Sequence, residues 1–179
     1  ICAVLLTLSP TVALSDRVTE AKLRFEQGAA LIGESQVRKG LNELLISNRL
    51  APNPNTLLNV ARSLDYLRYY EYAYLVYEEY LRSTRISDAD REEANAAFKR
   101  LERKVARLYI ESDPKGAEIY LNRETLGGYG TTPRRIAAKA GRHKIILQAP
   151  NYQTQTIEID LEKGLEKKLS VALEPLTGE

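Results

Sequence analysis

The chain has 179 residues with 26 basic and 24 acidic side chains, 44% hydrophobic and 28% charged. That is enough for one ordinary domain or two small ones, and no segment is basic enough for the long-range field of non-specific nucleic-acid binding. One cysteine, Cys2, and one histidine, His143, exclude an internal disulfide framework, a multi-cysteine zinc site and a histidine-pair metal site, so no metal or cofactor is expected.

The first eight residues, Ile1 to Leu8, are apolar and are followed by Ser9-Pro10 and the small-residue stretch Thr11-Val-Ala-Leu-Ser15. An apolar run, a helix breaker and small residues read as the tail of a secretory signal peptide, residues 1–15. Ala13 and Ser15 fit cleavage before Asp16, and Thr11 and Ala13 fit cleavage before Leu14. The remainder would be thiol-free, which suits an oxidising compartment outside the inner membrane. No later segment is long and apolar enough to span a membrane.

Residues 16–106 read as helical. Apolar and small residues recur at spacings of three and four from Val18 to Leu81, and prolines enter only in Ala51-Pro-Asn-Pro-Asn55. That segment separates two helical pairs. Gly33-Glu-Ser-Gln36 interrupts the first pair, and Arg68-Tyr-Tyr-Glu71 is expected to turn the second. Ser87-Asp-Ala-Asp90 supplies an N-cap with acidic neighbours for a third, capping helix over 88–106, with Lys99, Arg100, Arg103 and Lys104 at its far end.

A repeat runs through this half. Gly28 matches Ala61 and Ala94, and Leu31 matches Leu64 and Ala97. Gly40 matches Ala73, Leu44 matches Tyr77, and Ser47 matches Tyr80, each a step of 33 positions (28, 61, 94). Small residues at these sites let helices approach closely while large ones fill the space beside them. The pattern resembles the tetratricopeptide repeat, a helix–turn–helix unit of about 34 residues. Pro52 stands where that family places its inter-repeat proline, whereas Arg24 and Leu57 replace its aromatic residue.

Seven of the eleven tyrosines lie between Tyr66 and Tyr80. Ala73, Val76, Tyr77 and Tyr80 are expected in the core. Tyr66, Tyr69, Tyr70, Tyr72 and Tyr74 cannot all join them, and either meet a partner or pack on the chain's own C-terminal half. The repeat resemblance places Lys22, Phe25, Ala29 and Ile32 on the concave face of the first unit. Asn55, Leu58, Arg62, Asp65 and Tyr66 fall on that of the second. The partner-binding candidates are thus Phe25, Asn55, Leu58, Arg62, Asp65 and Tyr66.

After Arg107 the period becomes two. Leu108–Ser112, Ala117–Asn122, Pro133–Ala137, His143–Gln148, Gln155–Leu161 and Lys167–Leu173 read as strands separated by turn residues. Six or seven short strands at this spacing predict an antiparallel β-sandwich over residues 107–176 and, with the helices, an α+β chain. This half resembles the PEGA domain family, whose naming Pro-Glu-Gly-Ala motif reads here Pro114-Lys115-Gly116-Ala117. Ile119-Tyr120-Leu121, Gly127, Thr132-Pro133, Gly141 with His143, Tyr152 and Val171–Leu173 follow in order. Lys115 replaces the motif's glutamate, Asn122-Arg123 the usual Asp-Gly turn, and Asn151 a frequent glycine. The resemblance implies a bacterial envelope protein, a binding role and no known reaction.

The sequence carries no catalytic set. Gly127-Gly-Tyr-Gly130 lacks the Gly-Lys-[Ser/Thr] ending of a phosphate loop, and His143 has no partnered nucleophile. The expected function is a non-catalytic scaffold of the periplasm or envelope, binding protein partners through the helical surface. The alternative is an anionic cell-wall polysaccharide bound by Arg134, Arg135, Lys139, Arg142 and Lys144. Glu158, Asp160 and Glu162 could instead pair with these cations across strands.

Overall fold

A proline opens one of the five helices. The computed structural model describes residues 10–176, and its helices are α1 (Pro10–Gly33), α2 (Val37–Leu50), α3 (Pro54–Tyr66), α4 (Tyr70–Leu81) and α5 (Asp88–Glu102). Pro54 stands at the first helical position of α3, where the missing N–H has no intrahelical acceptor to lose. Asn53 caps α3 by accepting the Asn55 N–H at 2.8 Å. Residues 1–9 of the expected leader lie outside the described residues, and residues 10–15 lie in α1.

The chain divides into two compact units. One holds residues up to 69 together with 76–95, and the other holds 70–75 together with the residues from 96 onward.

In the first unit, α1 and α3 end in the same way. Ser35 and Arg68 both adopt φ of 62°. The N–H after each bonds five residues back, Gln36 to Leu31 and Tyr69 to Leu64, while Ser35 bonds to Ile32 and Arg68 to Asp65. This paired 6→1 and 5→2 pattern is a Schellman stop, which normally employs glycine. Positions 35 and 68 are again 33 apart, so the periodicity read from side chains extends to the backbone turns.

The repeat-matched residues are buried. Ala61, Ala73, Ala94, Leu44 and Tyr80 are fully so, Gly28, Gly40, Leu64, Tyr77 and Ser47 nearly so, and Leu31 and Ala97 are half-buried. α1 packs on α2 and α2 on α3. The α1–α2 crossing needs glycine on both sides. A Cβ on Gly28 would meet the Gly40 carbonyl oxygen at 3.0 Å, and one on Gly40 would meet Ile32 Cγ1 at 2.6 Å and the Gly28 carbonyl at 2.7 Å. Nearby, the Ser47 hydroxyl donates to the Ala21 carbonyl at 2.7 Å, satisfying a buried polar group between the same helices. The Tyr80 hydroxyl is fully buried without a hydrogen-bond partner among the described residues, and loss of water pushes its pKa up.

α5 stops at Glu102, four residues short of the expected 106, and after a three-residue turn β1 (Ala106–Asp113) begins. Ladder pairing explains the difference. Ala106 is registered with Ala138, and the Arg107 N–H donates to the Leu165 carbonyl. Val105, Ala106, Leu108 and Ile110 are buried by both the helical and the alternating reading at their start, and the sheet wins because it also satisfies the backbone. At the other end the predicted cap is present, the Asp90 N–H donating to Ser87 Oγ at 3.1 Å.

The second unit adds β2 (Glu118–Leu121), β3 (Arg134–Ala138), β4 (Gly141–Gln148), β5 (Gln155–Leu161) and β6 (Glu166–Ala172). They form two three-stranded sheets, β3-β1-β6 and β2-β4-β5. The expectation of a wholly antiparallel arrangement is corrected here, because β1 and β6 pair in parallel, Arg107 against Glu166 through Asp113 against Ala172. Alternation specifies which face is buried but not the direction of a neighbour, and the long connection between β1 and β6 permits either. Leu108, Ile110 and Ile136 from one sheet share a buried cluster with Ile119, Leu121, Ile145 and Leu147 from the other.

The Pro114–Ala117 turn is tied down by two hydroxyls. Ser112 Oγ donates to the Pro114 carbonyl at 2.6 Å, so Thr132 Oγ1 donates to Ser112 while accepting the Ala117 N–H at 3.1 Å. The peptide bonds before Pro114 and Pro133 are both cis. Asn122 and Asn151 take φ of 65° and 66°, which asparagine tolerates better than most residues.

Residues 70–75 account for part of the tyrosine cluster. Tyr74, fully buried, stacks on Phe98 with centroids 4.6 Å apart, and Lys104 Nζ lies 4.1 Å from the Tyr70 ring centre. Burial, and then a hydrogen bond with Tyr72, push the Tyr129 hydroxyl up to about 12.

Two substitutions test the helical unit. Gly40→Ala is expected to lower stability by about 1–3 kcal/mol, because the added methyl meets backbone as well as Ile32. Arg68→Gly is expected to raise it by up to about 1 kcal/mol by relieving the left-handed backbone. Urea denaturation midpoints measure both.

Candidate partner-binding groove

Between the middle of α1, the end of α2 and the start of α3 lies a groove of about 290 Å³, lined by Val18, Ala21, Lys22, Phe25, Ser47, Ala51, Asn53, Asn55 and Thr56. Helical spacing puts Val18, Ala21, Lys22 and Phe25 along one face of α1. The Ala51–Asn53 bend holds the first turn of α3 against that face. Val18 is 52% exposed and Phe25 half-buried, so the apolar floor is open to solvent.

The polar wall belongs to α3. Asn53 spends its side-chain oxygen on the cap, and Leu57 N–H donates to the Asn53 carbonyl. Thr56 is 3% exposed and lines the groove. The rim carries Lys22, whose side chain is 78% exposed and reaches Glu26 only at 3.9 Å.

The six residues expected to line one concave face do not converge. Phe25 and Asn55 meet in the groove. Leu58 is 4% exposed and belongs to the helical core, because the face of α3 that carries Leu58 also carries Ala61 and Leu64. Arg62 is engaged with α5, its Nε donating to Glu93 Oε1 at 2.9 Å and its Nη2 to Glu93 Oε2 at 2.6 Å, with Asp90 at 4.0 Å. Asp65 is half-buried. Tyr66 is 72% exposed beside a second groove, of about 300 Å³, formed by Ser35–Lys39 and Leu67 at the two Schellman turns.

Sequence reading missed Val18, Ala21, Ser47, Ala51, Asn53 and Thr56. The signal for the last two was present, since Asn-Pro-Asn-Thr is a helix start whose first-turn donors need acceptors. Of the earlier concave set, Lys22 lines the groove, whereas Ile32 packs toward Gly40.

The basic residues of the strand half meet acidic neighbours. Arg142 faces Asp160 and Lys144 faces Glu158 in the β4–β5 register, with charged atoms 3.5 and 3.8 Å apart. Arg135 Nε donates to Glu166 at 3.0 Å. The Arg134 guanidinium lies beside Gly130. Lys139 is exposed, and its carbonyl accepts His143 Nε2–H at 2.8 Å. His143 Nδ1 accepts from the Asn122 amide, whose oxygen is held by the Lys144 N–H. His143 thus ties a turn to β4. Among the described residues there is no cluster of three or more metal-ligating side chains, and no helix is long and apolar enough to cross a membrane.

Two small sheets around one core, with a hydroxyl-pinned Pro-Lys-Gly-Ala turn, describe a compact β module, and residues 105–177 match the PEGA domain. The match agrees with the motif-based reading of this half to within two residues at its start. The chain shows no match to a curated protein.

The Arg62–Glu93 pair has a definite pH signature. The hydrogen bond from Arg62 holds the Glu93 carboxyl below its ordinary 4.5 despite some desolvation. A depressed carboxylate contributes stability above the unfolded-state value and loses it as pH falls through the folded-state value. Both side chains are substantially exposed, so solvent screens the effect to a modest size. Between about pH 6 and pH 3, the wild-type denaturation midpoint is expected to fall more than that of Glu93→Gln; parallel curves would remove the pair from the acid response.

Proposed function

We propose that the protein is a non-catalytic interaction module of the cell envelope. In this reading a tetratricopeptide-like helical stack binds a protein partner in the α1–α3 groove, and a PEGA β-sandwich acts as spacer or second contact. The observation that carries it is the groove itself: an exposed apolar floor that includes Val18 and Phe25, bordered by Asn53, Asn55 and Thr56. An apolar surface with a few convergent polar groups is what peptide recognition requires.

Other features support parts of the reading. The 33-residue periodicity recurs in buried small residues and in two identical helix stops, as expected of stacked helix–turn–helix units. The shared core of the two sheets favours a sandwich, and the leader-like start and the PEGA resemblance favour the envelope.

The test uses the full chain as bait in cross-linked envelope extract, wild type beside a Phe25→Ala/Asn55→Ala variant of equal thermal stability. The expected outcome is loss of one specific protein from the variant by about tenfold or more. Equal recovery of every captured protein overturns the groove as the binding surface.

A further inference from the structure

We propose that one end of the β module, carrying Arg103, Lys163 and the exposed Leu165, docks on an anionic lipid surface. The proposal goes beyond the partner-binding groove and does not depend on it.

Strand direction decides which charges share an end. β6 runs parallel to β1 and β3 antiparallel to it, so the start of β1, the end of β3 and the start of β6 lie together. β5 enters β6 through residues 162–165, and β4 and β2 alternate in direction with β5, which brings the start of β4 and the end of β2 to the same end. The connections gathered there carry Arg103, Lys104, Arg123, Lys139 and Lys163 against Glu124 and Glu162. Glu162 is met by Lys167 at 3.7 Å. The neighbouring carboxylates are likewise held, Glu102 by Arg107, Glu166 by Arg107 and Arg135, and Asp160 by Arg142. Lys104 lies over the Tyr70 ring, whereas Arg103, Arg123, Lys139 and Lys163 form no ion pair among the described residues. The opposite end sets Lys115 and Arg134 against Asp113, Glu118 and Glu174, so the surplus of positive charge belongs to one end alone. Cations past the carboxyl end of α5 suit its dipole, which accounts for Arg103 and Lys104. Arg123, Lys139 and Lys163 lie on three other connections and are not explained that way.

An apolar side chain sits among these cations. Leu165 is 53% exposed, and the turn that carries it is pinned by its backbone. The Leu165 carbonyl accepts the Arg107 N–H at 2.9 Å, the Gly164 N–H donates to the Val105 carbonyl at 2.8 Å, and Arg107 Nη2 donates to the Gly164 carbonyl at 3.0 Å. Gly164 thereby rests against the backbone of Arg103, which makes Arg103 and Lys163 the neighbours of Leu165. Unpaired cations around an exposed leucine fit a bilayer interface, where the charges meet negative headgroups and the isobutyl group enters the acyl boundary. An anionic polymer would satisfy the charges and offer Leu165 no apolar phase, so the leucine favours lipid.

Flotation of the full chain with vesicles tests this, using phosphatidylcholine alone and phosphatidylcholine with about 30% phosphatidylglycerol. The anionic vesicles are expected to bind about tenfold or more tightly than the neutral ones, and salt raised to about 0.5 M is expected to release the protein. Arg103→Glu and Lys163→Glu are each expected to weaken binding by about tenfold or more, and Leu165→Ser by about threefold or more. Lys115→Glu makes the same change of net charge at the opposite end and is expected to stay within about twofold of wild type. Lys163 is an exposed turn residue, so Lys163→Glu keeps the test open should Arg103→Glu fold poorly. Equal binding to neutral and anionic vesicles overturns the lipid surface, and an equal loss for Lys115→Glu and Lys163→Glu overturns this end as its site. Retention on dextran sulfate beads that is lost in Lys163→Glu, together with unchanged vesicle binding by Leu165→Ser, overturns lipid in favour of an anionic polymer.

Discussion

The absence of a Cβ at two facing positions governs the helical unit. Gly28 and Gly40 bring the backbones of α1 and α2 within side-chain-free distance, so that Leu44 and Ile32 close over the crossing. Any larger residue there would part the helices, and the groove formed by α1, the end of α2 and the start of α3 would change width with them. The Ser47 hydroxyl bound to the Ala21 carbonyl fixes the same interface at its other end, next to the groove. Stability and the shape of the candidate site therefore rest on one contact between two helices.

The strand half depends on a different device. Its motif turn contains no reactive group, and its conformation is held by a relay in which every hydrogen is used: Thr132 to Ser112, Ser112 to the Pro114 carbonyl, and the Ala117 amide to Thr132. Pairing of cations with Asp160, Glu158 and Glu166 similarly turns a basic stretch into cross-strand structure. This is consistent with a module whose conspicuous residues maintain its form.

The tyrosine-rich segment shows how one composition serves several roles. Tyr77 and Tyr80 are buried in line with the helical period, and Tyr74 is removed from water by stacking on Phe98. Tyr72 bonds to Tyr129, while Tyr66 stays largely in solvent. Periodicity alone separates Tyr77 and Tyr80 from the rest. It cannot divide Tyr66, Tyr72 and Tyr74, because their fates depend on residues remote in sequence.

Local patterns sufficed for much of this protein. Helical spacing, the proline-bounded break, the Ser87 cap, the 33-residue equivalences and the six alternating strands are all consequences of backbone geometry acting over a few residues, and each is legible in order along the chain. The PEGA motif pieces are legible for the same reason, being turn and core chemistry. Tertiary structure alone decided that α5 ends at Glu102 ahead of β1, that β6 runs parallel to β1, and that Leu58 is core and Arg62 is bound to Glu93. Those outcomes turn on which distant backbone and side-chain groups compete for the same partner, and a one-dimensional pattern does not record that competition.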